Sequence, residues 1–129
     1  MSAHAEPPEW LLNSGVLVVD DNAVYGHLMR LRLQAVGCAC HRSGTPEEPL
    51  ELLGIHPNIK AVIVDYHVGS VDVDSLVLDI KRSWPDVVIV GNSNMAHAPE
   101  FEELGVPLFL RKPWTNDDLF GVLGQVVSE

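Results

Sequence analysis

The chain reads as an α/β protein: one doubly wound (βα)5 domain, a five-stranded parallel sheet with helices on both faces. Three observations predict this. Short unbroken apolar runs recur at Val16-Leu17-Val18-Val19, Ala61-Val62-Ile63-Val64 and Pro107-Leu108-Phe109-Leu110, and strands buried on both faces read this way rather than alternating. Segments of helical period separate the runs, and right-handed crossovers then put helices on both sides of the sheet. Each run also leads into charged residues suited to handling phosphate: Asp20-Asp21, Asp65, and Lys112 by way of Arg111. An open α/β sheet keeps its site at the carboxyl ends of its strands. Three carboxylates and one ammonium should therefore converge on a single crevice.

Residues 1–13 form a disordered or loosely docked tail, with Trp10-Leu11-Leu12 pinning its end, and residues 14–129 form the domain. The first strand covers 15–19. A helix follows over 22–36, with Val24, Leu28, Leu31 and Ala35 on its apolar face and Gly37 closing it. A short strand at 38–42 comes next. Thr45-Pro46-Glu47-Glu48 supplies a cap, a first-position proline and an acidic third position, and Pro49 keeps the second helix short. The third strand is 59–64. The third helix is 73–84, with Val73, Leu76, Ile80 and Trp84 at helical spacing, ended by Pro85-Asp86. The fourth strand is 87–90, a brief helix spans 99–104, and the fifth strand is 107–110. The last helix opens on Thr115, with Asp118 three residues later, and buries Leu119, Val122, Leu123 and Val126.

At 129 residues, 47% hydrophobic and 20% charged, the composition is that of an ordinary globular domain. The net charge of −10 argues against nucleic acid and anionic membranes, which demand a basic footprint. No run approaches the ~20 apolar residues of a membrane span, and the N-terminus lacks the basic start and apolar core of an export signal, so a cytoplasmic location is expected. Cys38 and Cys40 lie ~7 Å apart along one face of a strand, a poor fit to a disulfide. They read as small buried residues. His4, His27, His41, His56 and His97 are scattered and read as surface or satisfied residues.

The acidic pair after the first strand, Asp65 after the third, a hydroxyl residue near the end of the fourth and Lys112-Pro113 after the fifth, all in this order, resemble the receiver domain of two-component response regulators. The resemblance covers about 14–127 and implies the CheY-like strand order 2-1-3-4-5. It implies that Asp65 accepts a phosphoryl group from a sensor histidine kinase or a histidine phosphotransfer protein. It also implies that Asp21 binds Mg2+ directly and Asp20 mostly through water, with Asp65 and the backbone carbonyl of His67 completing the protein's ligands. Lys112 and the hydroxyl residue would grip the phosphoryl oxygens. Phe109 stands at the family's aromatic switch position, where Tyr is common, and the Lys112-Pro113 bond is a candidate cis peptide. A phosphoacceptor switch of this kind is not an enzyme beyond its own phosphorylation and dephosphorylation.

Electrostatics points the same way. Three carboxylates in one crevice cannot all stay ionised cheaply without a cation. Mg2+ and Lys112 together balance them, and a hard, oxygen-only ligand set suits Mg2+ rather than zinc.

The fourth strand departs most from the family pattern. Counting eight on from Pro85 picks Ser93 as the hydroxyl residue, whereas counting back from Lys112 without a gap picks Val90, and Ser93 is preferred. Asn94 replaces a small residue and would narrow the phosphoryl entry. Trp114 is a candidate anchor on the surface of the fourth helix, fifth strand and fifth helix, through which a downstream protein would be met; core packing is its other reading. With 17 residues beyond Lys112, all used by the last helix, no output domain is expected. The alternative function is a degenerate receiver that binds proteins without phosphorylation. Oligomeric state is not readable from these residues.

Overall fold

The valine-rich runs become the central strands. The computed structural model describes residues 6–43, 48–66 and 72–126. In it β1 (Gly15–Val19), β2 (Ala39–Ser43), β3 (Ile59–Val64), β4 (Val88–Ser93) and β5 (Leu108–Arg111) form one parallel sheet in the order β2-β1-β3-β4-β5. The helices are α1 (Ala23–Gln34), α2 (Glu48–Ile55), α3 (Val73–Ser83), α4 (Ala98–Glu103) and α5 (Asn116–Leu123), with 3-10 turns at Glu9–Leu11 and Met95–His97. The doubly wound class and strand order are those the sequence predicts.

Alternation along the strands divides the core in two. Val16, Val18, Ala61, Ile63, Val90 and Leu110 face Met29 and Leu33 of α1 and Leu119 and Leu123 of α5. Leu17, Val19, Val62, Val64 and Ile89 face Leu53 of α2, Leu76, Val77 and Ile80 of α3, and Phe101 of α4. All five residues of β1 are buried, which is why its run is unbroken rather than alternating.

Local chemistry sets the helix boundaries. The Asn22 side chain accepts from the amides of Val24 and Tyr25, both at 3.0 Å, and starts α1. Gly37, at φ 85, occupies the left-handed conformation that lets the chain turn from α1 into β2. Asp72 caps α3, and Thr115 with Asp118 forms a reciprocal capping box on α5 at 3.1 and 3.0 Å. Pro49 falls in the first turn of α2, where its missing N–H has no intrahelical partner to lose, and the helix is eight residues long. Thr45, Pro46 and Glu47 lie outside the described residues.

Several expectations need correction. The buried side of α1 is Gly26, Met29 and Leu33, while Val24, Leu28 and Leu31 are 67%, 36% and 45% exposed. The helix is apolar on two sides, so spacing alone selected the wrong one. β4 continues three residues past Val90 because Gly91, Asn92 and Ser93 pair with Phe109, Leu110 and Arg111 of β5. β2 begins and ends one residue later than expected, and α3 stops at Ser83. Before β1, Leu11 is fully buried and the Trp10 indole N–H donates to the Leu123 carbonyl at 2.8 Å. Among the described residues no helix is long and apolar enough to cross a membrane.

Candidate functional site

The sheet register builds the site. Val19, Val64, Gly91 and Phe109 form one row across β1, β3, β4 and β5. The next row is therefore Asp20, Asp65, Asn92 and Leu110. Backbone pairing continues into it: the Asp20 amide donates to the Ser43 carbonyl at 3.1 Å, and the Asp65 amide to the Val19 carbonyl at 3.0 Å. Beyond β5 the Lys112 amide donates to the Ser93 carbonyl at 2.8 Å. Both buried acids and the lysine are thus pinned at the strand ends by the ladder itself.

The side chains converge. Carboxylate oxygens of Asp20, Asp21 and Asp65 lie within 4.8 Å of one another. The Lys112 ammonium donates to Asp20 Oδ2 at 2.8 Å and to Asp65 Oδ2 at 3.2 Å. Asp20 is 1% exposed and Asp65 8%, whereas Asp21 is open to solvent. Asp20 Oδ1 accepts from the Asn22 amide at 2.8 Å, so both Asp20 oxygens are engaged by the protein. Burial alone would lower the Lys112 pKa, but the hydrogen bond and charge of Asp20, then Asp65, outweigh it and hold the amine above its ordinary value. The ammonium also lies 4.6 Å from the centre of the Tyr25 ring, a cation–π contact from α1.

The donor set suits a hard cation. Its oxygens are carboxylate, Asp21 is exposed, and no hydrogen bond engages Asp65 Oδ1 among the described residues. Mg2+, which keeps several waters and takes one or two carboxylates, fits such a set better than the N/S-seeking metals. His67, whose carbonyl was expected to help, lies outside the described residues. Ser93 is buried at the last position of β4, paired with Arg111, while Val90 sits three residues deeper beside Leu108. The Lys112–Pro113 peptide bond is cis. Phe109 is half-buried, its ring centre 5.9 Å from that of Phe101.

Four neighbours of the site escaped the sequence reading. Tyr25 could have been found by helical spacing, since it lies one turn beyond Asp21. Arg42, at the end of β2, donates from Nη2 to the Asp20 carbonyl at 3.3 Å and holds the loop that carries the acidic pair. His97 stacks on Tyr66, with ring centres 4.4 Å apart, and Tyr66 meets the Phe101 edge at 5.8 Å. Asn92, buried in β4, is the fourth. Elsewhere, His41 stacks on His56 with centres 4.0 Å apart. Cys38 and Cys40 are buried free thiols, pushed up by that burial to about 11 and about 12. Thiols so protonated are poor nucleophiles and metal ligands. Trp114 is half-buried and packs on the α1–α5 side of the core.

No protein-family model and no curated protein matches the sequence. Solved structures do match. The N-terminal signal receiver domain of a two-component response regulator from Bacteroides fragilis superposes with a TM-score of 0.80 at 24% identity, covering 90% of this chain and 98% of that one. A receiver domain protein from Clostridium thermocellum gives 0.78 at 20% identity, over 88% of this chain and 94% of that one. A Vibrio cholerae chemotaxis response regulator gives 0.78 at 18% identity, over 88% and 98%. Over most of its length, then, this chain has the fold of the receiver domains of two-component response regulators.

Proposed function

We propose that the chain is a phosphoacceptor signalling domain in which Asp65 takes a phosphoryl group from a phosphohistidine on a sensor kinase or phosphotransfer protein. The observation that carries this reading is the Lys112 ammonium bridging two buried carboxylates, Asp20 at 2.8 Å and Asp65 at 3.2 Å, beside an exposed third. Such a lysine holds positive charge where phosphoryl oxygens would arrive. Asp65 Oδ1 attacks phosphorus in line. The P–N bond of the donor breaks and its electron pair stays on the donor imidazole. The reaction needs positioning and charge neutralisation more than a base.

Asp21 and Asp65 would hold Mg2+ directly and Asp20 largely through water, with the His67 carbonyl as a further ligand. Bound there, Mg2+ supplies charge neutralisation for the phosphoryl oxygens. Ser93 and Lys112 would receive those oxygens. Drawing Ser93 toward them would free space beside Phe109 and Phe101, altering the α4-β5-α5 surface that a downstream protein reads. The domain would then act through population shift rather than turnover, as a switch and not an enzyme, in the cytoplasm.

The test is intact-mass spectrometry after incubation with phosphoramidate and Mg2+, beside Asp65→Asn. One labile phosphoryl adduct is expected on the native protein and none on the variant. No adduct on either, with beryllium fluoride and Mg2+ leaving the melting temperature unmoved, would instead favour a receiver fold that binds proteins without phosphorylation.

A further inference from the structure

Asn92 breaks the pattern of its strand. It is 1% exposed, inside β4, yet it carries a carboxamide whose Oδ1 is buried without a hydrogen-bond partner among the described residues. Buried polar atoms are nearly always satisfied, so an orphaned acceptor in a sheet core calls for an explanation. Its location supplies one. Ile89 and Gly91 face the α3–α4 side, since Ile89 packs there and a Cβ on Gly91 would meet the Phe101 ring. Val90 faces the α1–α5 side, and Asn92, two residues on, shares that side.

The same side carries the charged groups. Asn92 stands in the row of Asp20 and Asp65 and is paired in register with Leu110, two residues before Lys112. Lys112 starts beyond β5 but donates to carboxylates at the ends of β3 and β1. Its side chain therefore crosses the end of β4, where Asn92 sits.

Resting on the phosphoacceptor reading, we propose that Asn92 is a positioning residue: its buried carboxamide accepts a hydrogen bond from the Lys112 ammonium and keeps it over the site as Asp65 takes the phosphoryl group. The two acceptors that hold Lys112 now are both carboxylates. Phosphorylation turns Asp65 into an acyl phosphate whose negative charge lies on the phosphoryl oxygens, so Lys112 must pass from Asp65 Oδ2 to them, and a cation draws on the charge of Asp20. The Asn92 amide takes part in neither change, so it can hold the ammonium during that passage. It is an acceptor held in reserve for the transfer itself.

The test uses a nearly isosteric pair, Asn92→Val and Asn92→Thr, in the full chain, with phosphoramidate and Mg2+ and with the native protein as control. Phosphoramidate transfers its phosphoryl group as Asp65 forms the new O–P bond and the P–N bond breaks, ammonia leaving with the electron pair. Asn92→Val should raise the melting temperature, because it removes the orphaned acceptor, yet lower the phosphorylation rate at saturating donor by roughly tenfold with little change in the half-saturating concentration. Asn92→Thr, which restores an acceptor, should recover most of that loss. The opposed signs of stability and rate distinguish positioning from packing. A rate for Asn92→Val equal to native, or equal losses in the two variants, would overturn the role of Asn92 while leaving the phosphoacceptor reading intact. A native protein that takes no phosphoryl group would overturn both.

Discussion

Lys112→Met would leave Asp20 and Asp65 facing each other with no cation between them. Both are more than nine-tenths buried, and the lysine side chain is itself only 14% exposed. Removing one partner from such an arrangement strands buried charge, so urea unfolding should show a loss of about 2–4 kcal/mol. Millimolar Mg2+ should restore part of the loss in the variant, because a cation held by the same carboxylates replaces the missing ammonium. An undiminished deficit in Mg2+ would remove Asp20 and Asp65 from the proposed ligand set. At this scale the sequence was a good guide to the charged residues. Asp20, Asp21, Asp65 and Lys112 each follow a strand run, and charged side chains at the ends of buried strands have few places to go but one crevice. Asn92 was illegible for the opposite reason. A carboxamide after Val-Ile-Val-Gly looks like the start of a loop, and only the continued pairing with Leu110 turns it into a strand residue with a buried side chain.

Between elements, the contact of β4 with α4 turns on Gly91. A Cβ there would lie 2.7 Å from two ring atoms of Phe101, whose side chain is fully buried and has nowhere to retreat. Gly91→Ala should therefore cost about 1–3 kcal/mol by overpacking, and Phe101→Leu in the same chain should cancel a good part of that cost in a double-mutant cycle. Additive losses would mean that Gly91 matters for some other reason. Gly26 of α1 makes an instructive contrast, because its close neighbour is the Arg42 side chain, which could clear a Cβ only by giving up its bond to the Asp20 carbonyl. Element identity was legible wherever one signal dominated: the Val and Ile runs of β1 and β3, the Asn22 cap, the Thr115–Asp118 box. The core-facing side of α1 was not, because Val24, Leu28 and Leu31 form as good a stripe as Met29 and Leu33 do. What decides between them is the sheet, which is a tertiary fact.

The molecule as a whole carries a pH signature away from the acidic crevice. His41 of β2 is held below its ordinary value of 6.5 by burial first, then by the neighbouring His56 and Arg30. The unfolded chain therefore binds more protons at this position as the pH falls through about 6.5. Stability should be level above that window and decline within it toward the lowered folded value. His41→Gln should flatten the decline in denaturant midpoints measured from pH 7.5 to 5.5. An unchanged slope would assign the acid sensitivity to other groups. The overall architecture was the most legible level of all, since alternation of run and helix admits few topologies.

The Trp10–Leu123 hydrogen bond joins positions 113 apart in sequence. A contact of that span closes a loop of nearly the whole chain, so an open chain has a large entropic cost to make it and the assembled sheet has little. Leu11, fully buried beside it, adds an apolar contact to the same join. A protease that nicks α5 would then loosen two places with one cut: the final helix, and the turn before β1, left with the burial of Leu11 and the Asn13–Gly37 backbone bond.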